Sequence, residues 1–310
     1  MFMRVPLAML AAAVVFTTHA QAADNIRYVS TTGSNANACT LVAPCRTFQR
    51  GVNTTPTGGE LRILDSGDYG VNANVNRSMT ISANGHTVIL GNPIIINNAD
   101  AVVALRGLVL DGQGAVADGI RINAAAAMHI ERCFIRGFTG QGIRVASSNV
   151  DQVFVVDSTV RDNGVFGFNG QVASRVTIDN SHFHNNINVG VLTGANTTIH
   201  RSTASGNSFG IFVTSASTTS VMSVAAVQNG AGFVVSGGSL TADSSVAHGN
   251  DGQGLSVSAG GTARISNSTF TNNVTGIQND DGSTVETRQN NTVRGNTTNV
   301  IGTLTAIGGI

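Results

Sequence analysis

From Gly119 onward one short phrase recurs, a Gly followed by an apolar residue: Gly119-Ile120, Gly142-Ile143, Gly167-Phe168, Gly190-Val191, Gly210-Ile211, Gly232-Phe233, Gly254-Leu255 and Gly276-Ile277. The intervals are 23, 25, 23, 20, 22, 22 and 22 residues. Three or four residues ahead of most of these glycines stands an Asn (Asn163, Asn186, Asn207, Asn229, Asn250, Asn273), and a last one, Asn296, precedes Val300. Self-similarity at this period confines the chain to a solenoid, because one coil cannot bury its apolar side alone and must stack on its neighbours.

The content of a coil decides which solenoid. Val176, Ile178 and Phe183 alternate with Thr177, Asp179, His182 and His184, and Asn180-Ser181 interrupts the run. Period two means strand, and the small polar pair marks a bend between two short strands. The Gly-Φ-x-Φ segments, such as Gly142 to Val145 and Gly254 to Val257, supply a third strand. Three short strands in about 22 residues, with no ten-residue helical pattern between them, fit a parallel β-helix. A leucine-rich repeat would need Leu where this chain has Val, Ile and Phe, and a left-handed hexapeptide helix would repeat near a multiple of six. The expected fold is therefore all-β: a right-handed parallel β-helix solenoid of about 22 residues per coil. Its asparagines are expected in turns, where Asn tolerates left-handed backbone and can bond along a ladder.

The phrase Val176-Thr-Ile-Asp-Asn-Ser-His-Phe-His-Asn-Asn186 followed by Gly190-Val191 resembles the repeats of the right-handed parallel β-helix, pectin-lyase-like superfamily, from roughly Asn25 to the C-terminus. The resemblance implies the fold and an extracellular polysaccharide as ligand; its lyases, hydrolases, epimerases and non-enzymes leave the chemistry open. Polygalacturonase-like members carry paired aspartates, a Gly-His-Gly and an Arg-x-Lys. None is present, and the nearest pieces, Asn84-Gly85-His86 and Asp280-Asp281, are far apart in the sequence. Pectate-lyase-like members use an aspartate cluster for Ca²⁺ and an Arg base on nearby coils; only Asp157, Asp162 and Asp179 for the cluster and Arg161 for the base could take those parts, so no cofactor is assigned and Ca²⁺ has no supporting motif.

Arg4, the apolar run Val5 to Phe16 and Ala20-Gln21-Ala22 read as a secretory leader over residues 1–22, which places the product in the periplasm or outside the cell, with no membrane span. Residues 23–310 are expected to form one β-helix domain: a cap region at 23–60, coils at 61–296 and a terminal strand at 297–310. Phe48 and Val52 are four apart within Arg46 to Asn53, which predicts a short capping helix over the open end of the core. The chain has no Lys, which removes Schiff-base chemistry, and without Arg4 it carries 16 Arg against 17 Asp plus Glu, too neutral to capture nucleic acid. Cys39 and Cys45, six apart in a Pro-containing loop, are expected to pair as a disulfide; metal binding by the pair would need ligands that no second pair or nearby His supplies. Cys133 holds the coil position taken elsewhere by Ser158, Ser181, Ser202 and Ser268, and reads as a small buried residue.

The repeat also fixes which side chains point outward. One outward column runs Arg136, Arg161, His184, Ser205, and a second runs Glu131, Val156, Asp179, His200, with His182 between them. Asp179, His182, His184, Arg161 and His200 are thus the candidate catalytic group, since a carboxylate beside histidines and an arginine suits acid–base work on a sugar. On the Gly-Φ-x-Φ strand the outward column runs Arg121, Arg144, Asn169, Leu192, Phe212, Val234. Arg121, Arg144, Leu192, Phe212 and Val234 are the candidate ligand-binding group, the apolar trio forming a strip for a glycan face, a partner or a second copy in a homo-oligomer. The sequence leaves two functions open: binding or processing of extracellular polysaccharide, as a lyase or glycoside hydrolase if an enzyme, or a non-enzymatic surface scaffold or adhesion protein.

Overall fold

The computed structural model describes residues 25–308, apart from 72 and 195. The leader expected over 1–22 lies outside the described residues. Each coil supplies one strand to each of three parallel sheets, in the order A, B, C: Arg175–Asp179, His182–His184 and Val189–Thr193 form one such coil. Sheet B stacks eleven strands; sheets A and C are joined through one long strand, Asp118–Glu131. The result is the expected right-handed solenoid, nearly all strand.

Register follows the repeat. Val153, Val176 and Thr197 align across sheet A, Val160, Phe183 and Ala204 across sheet B, and Phe168, Val191 and Ile211 across sheet C. These positions are buried, and all but the polar Thr197 belong to one continuous interior core. Alternation in two short strands, broken at Asn180-Ser181, is what turns both apolar sets inward.

From Arg132 onward the corners between sheets A and B and between sheets B and C are each turned by one left-handed residue. Between sheets A and B it is Arg132, Asp157, Asn180, Arg201, Ser223, Ser244 or Asn267, with φ between 45° and 56°. The following residue is buried, and Ser158, Ser181 and Ser202 link coils there: the Ser158 amide donates to Ser181 Oγ at 3.2 Å and the Ser181 amide to Ser202 Oγ at 3.1 Å. Cys133 begins this column, its amide donating to Ser158 Oγ at 3.1 Å, and burial pushes its thiol up to about 11. Between sheets B and C the left-handed residue precedes the repeat Asn: Asp162, Asn185 and Gly206 turn the chain, while Asn163, Asn186 and Asn207 are buried. The expectation that these asparagines themselves take left-handed backbone is corrected accordingly. Their role is the ladder, in which the Asn207 amide and Nδ2 both donate to Asn229 Oδ1 at 3.0 Å, and Asn186 donates likewise to Asn207 Oδ1.

The helix Phe48–Thr54 buries Phe48, Gly51 and Val52 against Val29 and Leu61, with Thr47 accepting the Arg50 amide as N-cap. It covers the core beside Ile26–Val29, which already pairs in parallel with Glu60–Ile63. The Cys39–Cys45 disulfide is present, with both residues fully buried and the loop tied to the first strand through the Cys45 amide and Tyr28 carbonyl at 3.0 Å. At the other end Thr298–Ile301 and Leu304–Ala306 continue sheets C and A as a further coil. No helix among the described residues is long and apolar enough to cross a membrane.

Candidate functional site

The outward columns are in the expected register: Arg136, Arg161, His184 and Ser205 align in sheet B, and Glu131, Val156, Asp179 and His200 in sheet A. His182 and His184 stack, with ring centroids 5.5 Å apart. Asp179, Arg161 and His184 turn to partners the repeat does not reveal. Both Asp179 oxygens accept from Arg201, one of them from Nε at 3.1 Å, and Arg161 Nε donates to the adjacent Asp162 at 2.7 Å. His184 Nδ1 lies 2.6 Å from Ser205 Oγ, and burial, followed by the neighbouring His182 and Arg161, lowers its pKa. Asp179 and His200 stand on sheet A and the stacked histidines on sheet B, so the bend at Asn180-Ser181 divides the group.

On sheet C the column Arg121, Arg144, Asn169, Leu192, Phe212, Val234 is likewise in register. Arg144 lies 3.6 Å from the buried carboxylate of Asp118, and Arg121 Nε is buried without a hydrogen-bond partner. The apolar trio is not an open strip. Leu192 and Val234 are each only 8% exposed, because Val189, Phe209 and Ala231 form a second apolar column beside them. Phe209 meets Phe212 edge-on at 5.5 Å, closing most of the patch from within. Stacks one strand spacing apart shield one another's flanks, an effect that outward facing alone does not reveal.

The shaped surface lies toward the N-terminal end of sheet A. Its outward column reads Tyr28, Arg62, Ser82, Arg106, Glu131, and the parallel column two residues earlier reads Glu60, Thr80, Ala104, His129, Phe154. A groove of about 640 Å³ is lined by Glu60, Arg62, Ser82, Asn84, Arg106 and Arg132, and it adjoins a hollow of about 380 Å³ reaching His129 and Glu131; Arg106 lines both. Arg62 Nη2 pairs with Glu60 Oε2 at 2.9 Å, Ser82 Oγ donates to Glu60 Oε1 at 2.6 Å, and Arg106 Nε pairs with Glu131 Oε2 at 2.9 Å. The Arg62 bond holds the Glu60 carboxyl below the usual range, with Ser82 adding to it against the opposing effect of burial. His129 comes within 3.9 Å of Glu131 and stacks on Phe154 at 4.7 Å.

Arg132 follows Glu131 at the left-handed corner, exposed and, among the described residues, without an ion pair. Guanidinium forks fixed by neighbouring carboxylates, with one left free, make a surface suited to carboxylate groups of a ligand. The repeat does not mark this groove, because the Gly and Asn phrase is absent before Gly119 and the outward columns it defines begin later in the chain. Extending the two-residue alternation through Val103 and Leu105 would have reached Arg106, though not Arg62. Among the described residues no three His, Cys, Asp or Glu side chains are grouped to hold a metal ion.

The chain matches the family model described as right handed beta helix region over residues 118–298. Among solved structures it is similar to the Azotobacter vinelandii mannuronan C-5 epimerase AlgE4 A-module, at 15% identity and a TM-score of 0.65, with 91% of this chain and 100% of that chain covered. It is also similar to the AlgE6 A-module of the same organism (18% identity, TM-score 0.63, 80% and 89% covered) and to pectate lyase Pel9A (16% identity, TM-score 0.52, 90% and 78% covered). No curated protein matches the sequence. At these identities the likeness is one of fold.

Proposed function

The chain belongs to the right-handed β-helix family, and from that premise we propose that it binds an acidic polysaccharide outside the cytoplasm, in the groove of Arg62, Arg106 and Arg132. The observation that carries this reading is the groove itself: three guanidinium groups converge on a cavity of about 640 Å³, two of them bridged to glutamates and the third, among the described residues, without an ion pair. Such a site rewards a ligand that brings carboxylates at intervals, and a uronic-acid polymer does so. Neighbours named for acting on mannuronan and pectate support a polysaccharide as the ligand class. The buried Cys39–Cys45 disulfide fits an oxidising compartment, as does the leader expected over 1–22.

The reading is one of binding. Three of the five acid–base candidates are engaged with their own neighbours: Asp179 with Arg201, Arg161 with Asp162, His184 with Ser205. The scaffold alternative drew on an open apolar strip and on the C-terminal end of the solenoid; Leu192 and Val234 are closed, while Val300 and Ile301 are exposed.

Calorimetric titration with polygalacturonate, set against a neutral galactan, tests the proposal. Arg132→Ala is expected to weaken binding about tenfold or more, the effect of deleting one charged hydrogen-bond donor. Equal affinity for the neutral polymer, or unchanged binding by both Arg132→Ala and Arg62→Ala, would sink it.

A further inference from the structure

A second basic groove lies on the same face of sheet A, far along the axis. It encloses about 340 Å³ and is lined by Thr241, Asp243, Arg264, Ser266, Asn267 and Arg288 among others. Its construction repeats that of the first. Arg264 is bridged to Glu286 at 2.6 Å, as Arg62 and Arg106 are to Glu60 and Glu131. The acidic side chain within it is satisfied locally: Asp243 accepts from Ser266 Oγ at 2.6 Å, Asn267 Nδ2 at 2.8 Å and Ser244 Oγ at 2.8 Å, so it does not consume an arginine. Ser82 holds Glu60 in the first groove by the same 2.6 Å bond between successive coils. Arg288 is exposed and, among the described residues, enters no contact ion pair, standing to this groove as Arg132 stands to the other; its charge reaches Asp243 only through space.

The two grooves are in line. The sheet A register runs from Arg106 through Glu131, Val156, Asp179, His200, Met222 and Asp243 to Ser266, seven steps. At about 4.8 Å per step they stand roughly 34 Å apart. Between them the outward column Thr177, Thr198, Ser220, Thr241 presents one hydroxyl per coil, and the one strong charge pair on the way, Asp179 with Arg201, is internally neutralised. Phe154 stands at the head of this hydroxyl column, the neighbouring column carries His200 and the exposed Met222, and the exposed Arg175 adds a positive charge on the same sheet.

We infer that sheet A is a two-point clamp for an extended anionic polymer laid along the solenoid axis, its carboxylates held at Arg132 and Arg288 and its hydroxyls passing over the threonine and serine column. The inference rests on the acidic-polysaccharide reading and adds a second site and a length requirement. Two weak sites joined by one ligand that spans them act together, raising apparent affinity by up to a factor of about 10²–10⁴ without new contacts. A ligand too short to span gains nothing.

The test is calorimetric titration of the full chain with galacturonate oligomers of defined length, a tetramer and a dodecamer, at fixed low salt. Two tetramers are expected to bind per chain but only one dodecamer, and the dodecamer at least tenfold tighter. Arg288→Ala, an exposed substitution checked by far-UV circular dichroism, is expected to bring the dodecamer down to the tetramer's affinity and to leave one tetramer site. Equal affinities for the two lengths, or a dodecamer indifferent to Arg288→Ala, overturn the clamp while leaving tetramer binding at Arg132 intact. Failure of wild type to bind either oligomer overturns the clamp together with the acidic-polysaccharide reading.

Discussion

Gly210→Ala probes why the repeat pairs a Gly with an Asn. Gly210 lies outside the left-handed region, so its backbone suits any residue. On such a backbone Gly→Ala ordinarily stabilises by roughly 0.4–1 kcal/mol, by restricting the unfolded chain. Space reverses the sign here. A Cβ at 210 would stand 2.7 Å from the Gly232 carbonyl oxygen, 3.0 Å from Asn229 Nδ2 and 3.2 Å from Ala226 Cβ. The nearest of these is backbone of the next coil and cannot rotate aside. Relief requires lifting that coil, which stretches the two 3.0 Å bonds from Asn207 to Asn229. Overpacking against backbone falls in the upper part of its usual range, about 2–3 kcal/mol, leaving a net loss of about 2 kcal/mol. With a urea slope of roughly 3 kcal/mol/M, the midpoint followed by far-UV circular dichroism should fall by about 0.7 M. Deleting the Asn229 side chain in addition is not expected to rescue, since the carbonyl contact remains. A midpoint equal to or above wild type would refute the claim that this glycine is kept for space.

Phe183→Ala should cost about 3–5 kcal/mol, and Phe183→Asp should prevent folding by burying an unpaired charge, whereas His184→Asp on the outer surface should be tolerated; thermal melts in which 183 and 184 respond alike would contradict the register. Replacing Cys39 and Cys45 by Ser opens a loop of sequence separation 6 and should lower stability by about 2 kcal/mol, read by urea denaturation against wild type. Cys133, buried and with its thiol pushed up to about 11, should resist alkylation in the folded protein at neutral pH; rapid labelling would show that corner open. Burial would raise the Asp65 carboxyl, but bonds from Ser30, Tyr69 and Thr31 outweigh it and hold the folded pKa below the ordinary range. Its stabilisation is therefore present above about pH 4 and is lost as pH falls through the folded value. Asp65→Asn should flatten that part of the acid limb in a pH series of melts, and an unchanged limb would remove Asp65 from the account.

The sequence by itself determined the solenoid, its handedness class, its coil length and the facing of each side chain from Gly119 onward, because stacking imposes one environment per column and the repeat writes that environment out. Val176, Ile178 and Phe183 had to be inward once His182 and His184 alternated with them, and Cys39 with Cys45 was a local pairing that six residues of loop could close. Tertiary structure alone decided how the outward groups are spent. Asp179 could have faced a histidine or an arginine; Arg201, on the next coil's left-handed corner, takes it. Leu192 and Val234 point outward as their column requires, yet a neighbouring column covers them. Arg62, Arg106 and Arg288 leave the backbone on the outward side of sheet A and Arg132 at a left-handed corner, yet which of these guanidinium groups stays free is set by the ion pairs their neighbours make or withhold. Periodicity governs which way a side chain leaves the backbone; the partner it then finds depends on neighbours about 4.8 Å away in space and more than twenty residues away in the chain.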